Sequence, residues 1–332
     1  MPDCERIAYL RRSQINNTAW DACVTTAPNQ IFYGFSWYLD AVTCLPDWTW
    51  VGLVLRNQPG SYQAVMPVPL RRRFVLGVAV GWVVHQPLFC QFLPIFGPSD
   101  TDKAPFFRAL LRRFRYGSIL HTAHRLPADL GVESQRQHTH LLDLNPPYAA
   151  LSANYSADRR VNLNRAHHFG WQIQADPDPE PLIRLFRKNH AGQIPGGVGD
   201  WAYTVFRDVV LALQKRGMAH LHYACHAGQI EAGALFVLDR QRVVYLFNAA
   251  SSMGRRGNAR TLLLDMMIRE NADTPGLWFD FESPDKPSVV QFYQSFGTAA
   301  EPFWTMRWNR LSRPERAFLR LLKLYPSGKL TR

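Results

Sequence analysis

Two carboxylates in the last quarter of the chain have the spacing of a general-base pair. Asp280 and Glu282 alternate with Phe279 and Phe281, and on a β-strand this alternation places both acidic side chains on one face. A carboxylate near a strand end can take a proton from an amine nucleophile. The structural alternative is that one of them caps the next helix or pairs with an arginine.

Tyr293 is a candidate general acid for the leaving group of the same reaction. It lies in a segment, 288–295, whose apolar spacing predicts an amphipathic helix. An aromatic residue of the core is the alternative interpretation, and the sequence leaves both open.

A basic loop that contains glycine precedes a predicted helix over 259–271. Its residues are Arg255, Arg256, Gly257 and Asn258. Cations at a helix start oppose the helix dipole, and a bound anion would reverse that cost. Glycine would let a phosphate approach the backbone N–H groups closely. The loop therefore predicts a phosphate site, and a solvated basic loop is the alternative.

Three polar residues lie in the strands that lead to this loop. Asn248 and Ser251 end the preceding strand, where a donor could hold a carbonyl oxygen in an oxyanion-type contact. Glu231 lies in the middle strand of a predicted three-stranded meander, where it either orders an acceptor or faces the solvent.

A basic helix precedes the meander. Arg159, Arg160 and Arg165 lie on this predicted helix and could contact acceptor or donor phosphates. A solvated helical face is the alternative.

Metal and disulfide chemistry are not expected. His220 and His222 share a strand face with His226 further along it, but no cysteine or carboxylate joins them at ligand spacing. The five cysteines are odd in number and contain no C-x-x-C. This pattern argues against a disulfide framework and favours a reducing compartment.

The composition indicates a folded basic protein with two domains. The chain has 332 residues, of which 47% are hydrophobic and 19% charged, which excludes a disordered or low-complexity protein. The net charge of +12 suits an anionic partner. The first residues lack the apolar segment of a signal peptide, and no apolar run approaches the roughly 20 residues of a membrane span. We therefore expect a cytoplasmic location.

In the first half, residues 88–94 are predicted as a strand. The order of predicted elements in the second half is informative. Helices over 147–169, 179–189 and 201–216 are followed by a meander over 219–226, 229–238 and 242–249, then by helix 259–271, strand 277–281, helix 288–295 and strand 302–309. An antiparallel meander that feeds a helix and then a parallel strand is the plan of a GNAT acyltransferase domain.

Several motifs resemble the bacterial tandem-GNAT acyltransferases related to the Fem-type peptidyltransferases, which build the interpeptide bridges of peptidoglycan. The resemblance extends over nearly the whole chain. The motifs that carry it are Ser36-Trp37-Tyr38-Leu39-Asp40, Ala64-Val65-Met66-Pro67, Gln86-Pro87-Leu88-Phe89-Cys90-Gln91, Arg159-Arg160-Val161-Asn162, Asn248-Ala249-Ala250-Ser251, Phe279-Asp280-Phe281-Glu282-Ser283 and Phe292-Tyr293-Gln294-Ser295-Phe296-Gly297.

The resemblance implies an α/β (α+β) fold of two tandem GNAT-like domains, each a mixed, mostly antiparallel sheet flanked by helices. It implies an N-acyltransferase that moves an acyl or aminoacyl group from acyl-CoA or aminoacyl-tRNA to an amine. The acceptor would be a small molecule or a cell-wall precursor. Two alternatives stay open: an acyl-CoA-dependent N-acetyltransferase acting on a small molecule or polysaccharide precursor, and a catalytically degenerate double-GNAT binding module.

Two features depart from these families. The GNAT phosphate loop usually reads Q/R-x-x-G-x-G/A, whereas Gly254 holds its first position here. This departure weakens the expectation of coenzyme A. The Fem enzymes carry a long charged coiled-coil arm, and this sequence has no heptad run of that kind. This departure weakens the expectation of a tRNA donor.

The break at Asn145-Pro146-Pro147 predicts the domain boundary, because proline disfavours helix at the residue before it. The predicted domains are 1–145 and 146–312. A basic amphipathic helix and tail, 313–332, follow; this helix could lie on an anionic membrane surface or pack on its own domain.

Overall fold

The structure is a computed structural model, and it describes residues 7–56, 60–75, 78–283 and 286–315. Its contacts divide the chain into two compact units. One is Gln137–Pro302, and the other contains the residues before Gln137 together with those from Phe303 onward. The predicted boundary at 145/146 therefore differs from the structural one, and residues 303–312 group with the first unit rather than with the second.

The elements of the first unit follow a mostly antiparallel order. The sheet runs β1-β2-β3-β4-β5-β12, with a parallel pair between β4 and β5. The bounds are β1 Ile7–Arg11, α1 Asn17–Thr26, α2 Ser36–Val42, β2 Trp48–Leu55, β3 Ala64–Val75, β4 Val78–His85, α3 Ala104–Arg113, β5 Tyr116–Thr122 and β12 Ala299–Asn309.

The second unit is a mixed sheet flanked by helices, in the order β6-β11-β10-β9-β8-β7. Strands β10 and β11 are parallel, and the other pairs within this unit are antiparallel. The bounds are β6 Glu133–Asp143, α4 Tyr148–Ala153, α5 Ala157–His168, β7 Gln172–Ala175, α6 Glu180–Asn189, α7 Asp200–Gln214, β8 Ala219–His226, β9 Gln229–Leu238, β10 Arg242–Ala250, α8 Ser252–Arg256, α9 Ala259–Asn271, β11 Trp278–Asp280 and α10 Pro287–Gln294.

The predicted fold class is confirmed, and the elements from β8 to α10 agree with the predicted order to within a few residues. Helix α9 buries Leu263, Leu264, Met267 and Ile268 against the sheet. Their spacing of one, three and four residues is the apolar stripe of a packed helix.

Three predicted elements were wrong. The expected strand over 88–94 is a loop, because Phe89 adopts a left-handed φ of 58° and the Gln86 side chain donates to the Cys90 carbonyl. The single helix expected over 147–169 is two helices, and Ser156 caps the second. The polar loop expected after Ser251 is mostly helix α8. The basic helix predicted from Arg313 lies largely outside the described residues.

The end of β12 is packed into the first unit by Trp308. Its indole Nε1 donates to the Phe114 carbonyl at 2.7 Å, and its ring covers Gly117, where any Cβ would overlap it. This contact and the pairing of β12 with β5 hold residues 303–309 in the first unit.

We expect Gly117→Ala to destabilise the first unit by about 1–3 kcal/mol, because the added methyl group overpacks the Trp308 site. Chemical denaturation would measure this. Gly192→Ala, at a position with no neighbour within 4 Å of a new Cβ, is the control that should leave stability nearly unchanged. Equal stability of the two variants would contradict this packing.

Two histidines of the first unit are held in their neutral form. Burial lowers the pKa of His121 to about 4, and nearby Arg307 and His85 add to the shift. Its Nδ1 lies 3.0 Å from the Thr305 hydroxyl. Burial also lowers the pKa of His124 to about 4, and its Nε2 accepts the Ile95 N–H at 2.9 Å.

We expect the stability of the protein to fall as the pH drops below about 6.5, the pKa of an unfolded histidine. Between pH 7 and pH 5 these histidines bind protons in the unfolded chain but not in the folded one. Each histidine therefore lowers the free energy of unfolding by about 1–2 kcal/mol over this range. Denaturation across this range would measure the slope. His121→Asn should flatten it, and the exposed control His167→Gln should not; an unchanged slope in His121→Asn would refute this assignment.

Candidate functional site

The candidate site lies where two parallel strands of the second unit separate. Strand β10 pairs with β11 only over Arg242–Val244, and β10 continues to Ala250 after β11 has ended at Asp280. The β9–β10 register shifts between Tyr245 and Phe247, which is the bulge that bends a strand away from its neighbour. The last residues of β10 therefore line a gap on the β11 side.

A buried ion pair holds the closed end of this gap. Asp280 is fully buried, and it accepts from Arg242 Nη1 at 2.7 Å and from the Thr139 hydroxyl at 2.6 Å. Arg242 also pairs with Glu301 at 2.9 Å. Asp280 was predicted as a catalytic base, but its carboxylate is occupied, and the arginine-pairing interpretation describes its geometry.

Glu282 and Tyr293 also differ from the expected arrangement. Strand β11 ends at Asp280, and Glu282 has a left-handed φ of 45°, so the alternation that would put both acids on one face does not continue. Tyr293 packs its ring against Tyr245 and Phe281. Burial raises its pKa to about 12. Tyr293 is therefore part of the aromatic core under the gap.

The predicted phosphate loop is folded into α8, and its amides are used there. The N–H groups of Arg255, Gly257 and Asn258 donate to backbone carbonyls three or four residues earlier. Gly257 is covered by Trp171 and Phe169, which a Cβ would touch, and the Trp171 indole donates to its carbonyl. Glycine at this position makes room for aromatic rings rather than for a phosphate.

Packing explains why position 254 is glycine, where the usual motif has glutamine or arginine. A Cβ at this position would overlap the Glu231 carbonyl oxygen, because α8 lies directly on β9. A glutamine or arginine side chain could not be accommodated there without moving the helix.

The first turn of α9 is open instead. The first backbone bond of this helix joins the Leu262 N–H to the Asn258 carbonyl, so the three preceding N–H groups have no intrahelical acceptor. Asn258 adopts a left-handed φ of 55° and its side chain does not cap the helix. The start of α9 therefore keeps the positive end of its dipole uncapped.

Arg159 on α5 places a buried positive charge beside this helix start. It is 4% exposed; its Nη1 donates to the Thr261 hydroxyl at 2.5 Å, and its Nε donates to the Ser295 hydroxyl at 2.8 Å. The guanidinium lies 4.2 Å from the Phe292 ring centre. Among the described residues, no carboxylate lies within 4 Å of this guanidinium.

The pKa of Arg159 is lowered to about 10, chiefly because burial removes the guanidinium from water. Asp158 and Tyr155 oppose this shift, and nearby Arg260 adds to it. The group is still charged at neutral pH. A buried charge without a counter-ion is costly, and the ring faces offset only part of the cost.

A pocket of about 590 Å³ opens beside Arg159 and Asn258, between α5, the start of α9 and α10. Its walls are mostly hydroxyl and amide side chains. The lining residues are Ser156, Asp158, Arg159, Asn162, Asn258, Ser288, Gln291, Phe292, Gln294 and Ser295.

A second cluster of polar residues lies at the end of β10 that has separated from β11. Ser251 caps α8, and its hydroxyl donates to the Glu231 carboxylate. His190 Nε2 lies 3.1 Å from both the N–H and the carbonyl of Ala250. Arg255 Nη1 donates to the same carbonyl at 2.8 Å. Burial lowers the pKa of His190, and Arg260 and Arg255 add to the shift.

Arg260 links the two groups and was missed by the sequence analysis. Its Nη1 donates to the Asn248 side chain at 3.1 Å, so Asn248 orients a cation in the gap. Arg260 directly follows the predicted first residue of the helix, which was the available signal. His190 was also missed; it directly follows α6 in the sequence, and only the tertiary structure brings it to β10.

The remaining predicted residues lie outside the pocket. Arg160 is exposed and donates to the carbonyls of Ala153 and Tyr155. Arg165 and Arg256 are exposed on α5 and α8. Over the described ranges, no group of three or more His, Cys, Asp or Glu side chains is placed to hold a metal ion.

Residues 154–287 match the family model of the acetyltransferase (GNAT) domain. This range contains Arg159, the meander, α8, α9 and β11. No curated protein sequence matches the chain. No helix among the described residues is long and apolar enough to cross a membrane.

Solved structures share the fold over nearly the whole chain. FemX has a TM-score of 0.63 at 13% identity, covering 94% of this chain and 99% of its own. The C-terminal domain (DUF2156) of a putative lysylphosphatidylglycerol synthetase from Agrobacterium fabrum has a TM-score of 0.51 at 12% identity, covering 99% and 98%. A tandem GNAT protein from the clavulanic acid biosynthesis pathway has a TM-score of 0.50 at 13% identity, covering 91% of this chain and 98% of its own. The expected Fem-like, tandem-GNAT resemblance is confirmed at the level of the fold.

We expect Asp280→Asn to lower the free energy of unfolding by about 3 kcal/mol, because it leaves the charge of Arg242 partly uncompensated in the core. Denaturant unfolding would measure this change. Glu301→Gln removes the more exposed partner of the same arginine and should cost less than about 1 kcal/mol. A fully stable Asp280→Asn variant that loses only turnover would instead restore Asp280 as a catalytic base.

Proposed function

We propose that the second unit transfers an acyl or aminoacyl group from a phosphate-bearing donor to an amine. The GNAT domain match and the shared fold support acyl transfer in general. The observation that carries the proposal is the buried Arg159, which has no carboxylate partner among the residues that the structure describes. It lies beside the open first turn of α9, at the wall of a polar pocket. A donor phosphate supplies the missing negative charge.

The gap between β10 and β11 is the place for the reacting group in this proposal. Strand β10 has left its β11 partner at Asn248, and Arg260 is fixed there by the Asn248 side chain. A cation and an amide at this position can stabilise the oxyanion that forms when an amine attacks a carbonyl carbon. Holding donor and acceptor together contributes several kcal/mol of the lowered barrier.

The transfer balances as a simple acyl exchange. The amine nitrogen forms a C–N bond to the donor carbonyl carbon, and the C–S or C–O bond to the carrier breaks. The amine loses one proton, and the leaving thiolate or alkoxide takes one up. Glu231 is the proposed acceptor of the amine proton, because its carboxylate is half-buried at the open end of β10 and held by Ser251.

Two donors fit the shared chemistry of a phosphate and an activated carbonyl group. Acyl-CoA is the co-substrate of GNAT domains and is therefore the first donor to test. Aminoacyl-tRNA would suit the net charge of +12. A degenerate binding module is the second candidate function, and it would bind one of these carriers without turnover.

We expect Arg159→Gln to weaken donor binding about 10- to 100-fold, because a charge-assisted contact to phosphate is lost. Calorimetric titration with coenzyme A and, separately, with aminoacyl-tRNA would measure the loss. The control is Arg165→Gln, an exposed arginine on the same helix, which should bind the donor as the parent does. A folded Arg159→Gln variant with unchanged affinity for whichever donor binds would overturn the site.

Turnover measurements test the proposed proton transfer to Glu231 separately from donor binding. Glu231→Gln should lower kcat while leaving donor affinity close to that of the parent. Donor binding without any product, across a panel of amines, would favour the binding module over the transferase.

A further inference from the structure

Strands β3 and β4 of the first unit form a ribbon that extends past the strands on either side. Strand β2 begins at Trp48, opposite Arg71, so β3 continues for four residues without it. On the other side, β5 pairs with β4 only at Val84 and His85. Residues 72–75 and 78–82, here called the ribbon, therefore have no strand partners but each other among the described residues.

The ribbon is apolar toward its tip. Its sequence from Phe74 to Val84 contains no charged or polar side chain, and Phe74 and Trp82 are 51% and 40% exposed. A two-stranded ribbon is only marginally stable in water by itself, and exposed apolar surface of this kind marks an interaction site. The ribbon lacks the alternation of polar residues that a solvated hairpin would have.

Arginines surround the base of the ribbon. Arg71, Arg72 and Arg73 are consecutive, and the guanidinium groups of Arg72 and Arg73 lie 5.5 and 5.6 Å from the ring centres of Trp82 and Tyr116. Within the part of the chain that the structure describes, neither of these two has a carboxylate within 4 Å. Arg71 pairs with Asp47 at 3.4 Å.

More positive charge lies beside the ribbon. Arg113 and Arg115 line a groove of about 460 Å³ together with Arg73 and Trp82. Arg113 is stacked 4.7 Å from the Tyr9 ring, and Arg115 pairs with Glu315. This side of the first unit is therefore an apolar projection on a basic, aromatic base.

We propose that the ribbon docks the protein on an anionic phospholipid surface. The exposed Phe74 side chain enters the boundary between headgroups and acyl chains. Trp82 suits the headgroup level, where its ring is apolar and its N–H is polar. The arginines then meet lipid phosphates, and the charge complementarity selects anionic membranes.

The same features argue against two other occupants. RNA would use the arginines and the rings, but it would leave the apolar residues of the ribbon in water. A second copy of the chain would cover the tip, but it would bring the arginines of both copies together. Only a lipid surface offers an apolar layer directly below a negatively charged one.

Vesicle co-sedimentation with the full chain tests the proposal. We expect binding to vesicles of phosphatidylcholine and phosphatidylglycerol to exceed binding to pure phosphatidylcholine, and to weaken as salt rises. Arg72→Gln combined with Arg73→Gln should lower the partition coefficient about 10- to 30-fold. Phe74→Ser should lower it as well, and with less effect on its salt dependence.

Matched controls come from the second unit. Arg165→Gln combined with Arg256→Gln removes two exposed arginines, and Leu211→Ser removes an apolar residue that is 50% exposed on α7. Both variants should bind vesicles as the parent does. Thermal unfolding of every variant distinguishes a loss of vesicle binding from a loss of folding. If Phe74→Ser does not fold, Trp82→Ser is the ribbon variant to test in its place.

Three results would overturn the proposal. The first is equal binding of the parent to both kinds of vesicle. The second is undiminished binding by folded ribbon variants. The third is that the parent does not bind vesicles but binds RNA, or forms a dimer in sedimentation velocity, and that the ribbon variants lose this RNA binding or this dimer. The outcome does not depend on donor binding, so it is independent of the proposed transferase site.

Discussion

The buried charge of Arg159 is the constraint on which the candidate site depends. Arg159 is 4% exposed, and within the described ranges its guanidinium contacts hydroxyl groups and ring faces but no carboxylate, so its charge is incompletely compensated. The first turn of α9 adds partial positive charge at the same place. Both features oppose folding and both favour an anion. In the proposed site, a donor phosphate relieves this unfavourable charge.

The rest of the second unit keeps this site open. The bulge in β10 and the early end of β11 separate the two strands, while the ion pair of Asp280 and Arg242 fixes their closed end. Aromatic rings, including Tyr245, Phe281 and Tyr293, fill the space below the gap. Two of the predicted catalytic residues, Asp280 and Tyr293, lie in the ion pair and in the aromatic cluster. A buried charge such as that of Asp280 needs a partner.

Much of the fold could be predicted, because its signals are local. The meander, α9 and α10 follow from apolar periodicity and turn residues, and the motifs from Asn248 to Gly297 carry the GNAT resemblance. The predicted loop after Ser251 failed because α8 is stabilised from outside itself. Its start is capped by Ser251 and held by Glu231, and Gly254 lets it lie on β9. The Ser251 cap is a local contact that a sequence can indicate, whereas the contacts with Glu231 join residues about 20 positions apart.

The sequence by itself determined the α/β class, the tandem-GNAT resemblance and the basic charge, and it predicted a phosphate site before α9. Arg159 and Asn258 were both among its candidates. Only the tertiary structure decided which candidates meet. It brings α5 to the start of α9 across about a hundred residues of chain, pairs Asp280 with Arg242, and covers Gly257 with Trp171. Burial and the presence or absence of a counter-ion depend on these long-range contacts, and they distinguish a binding cation from a solvated one.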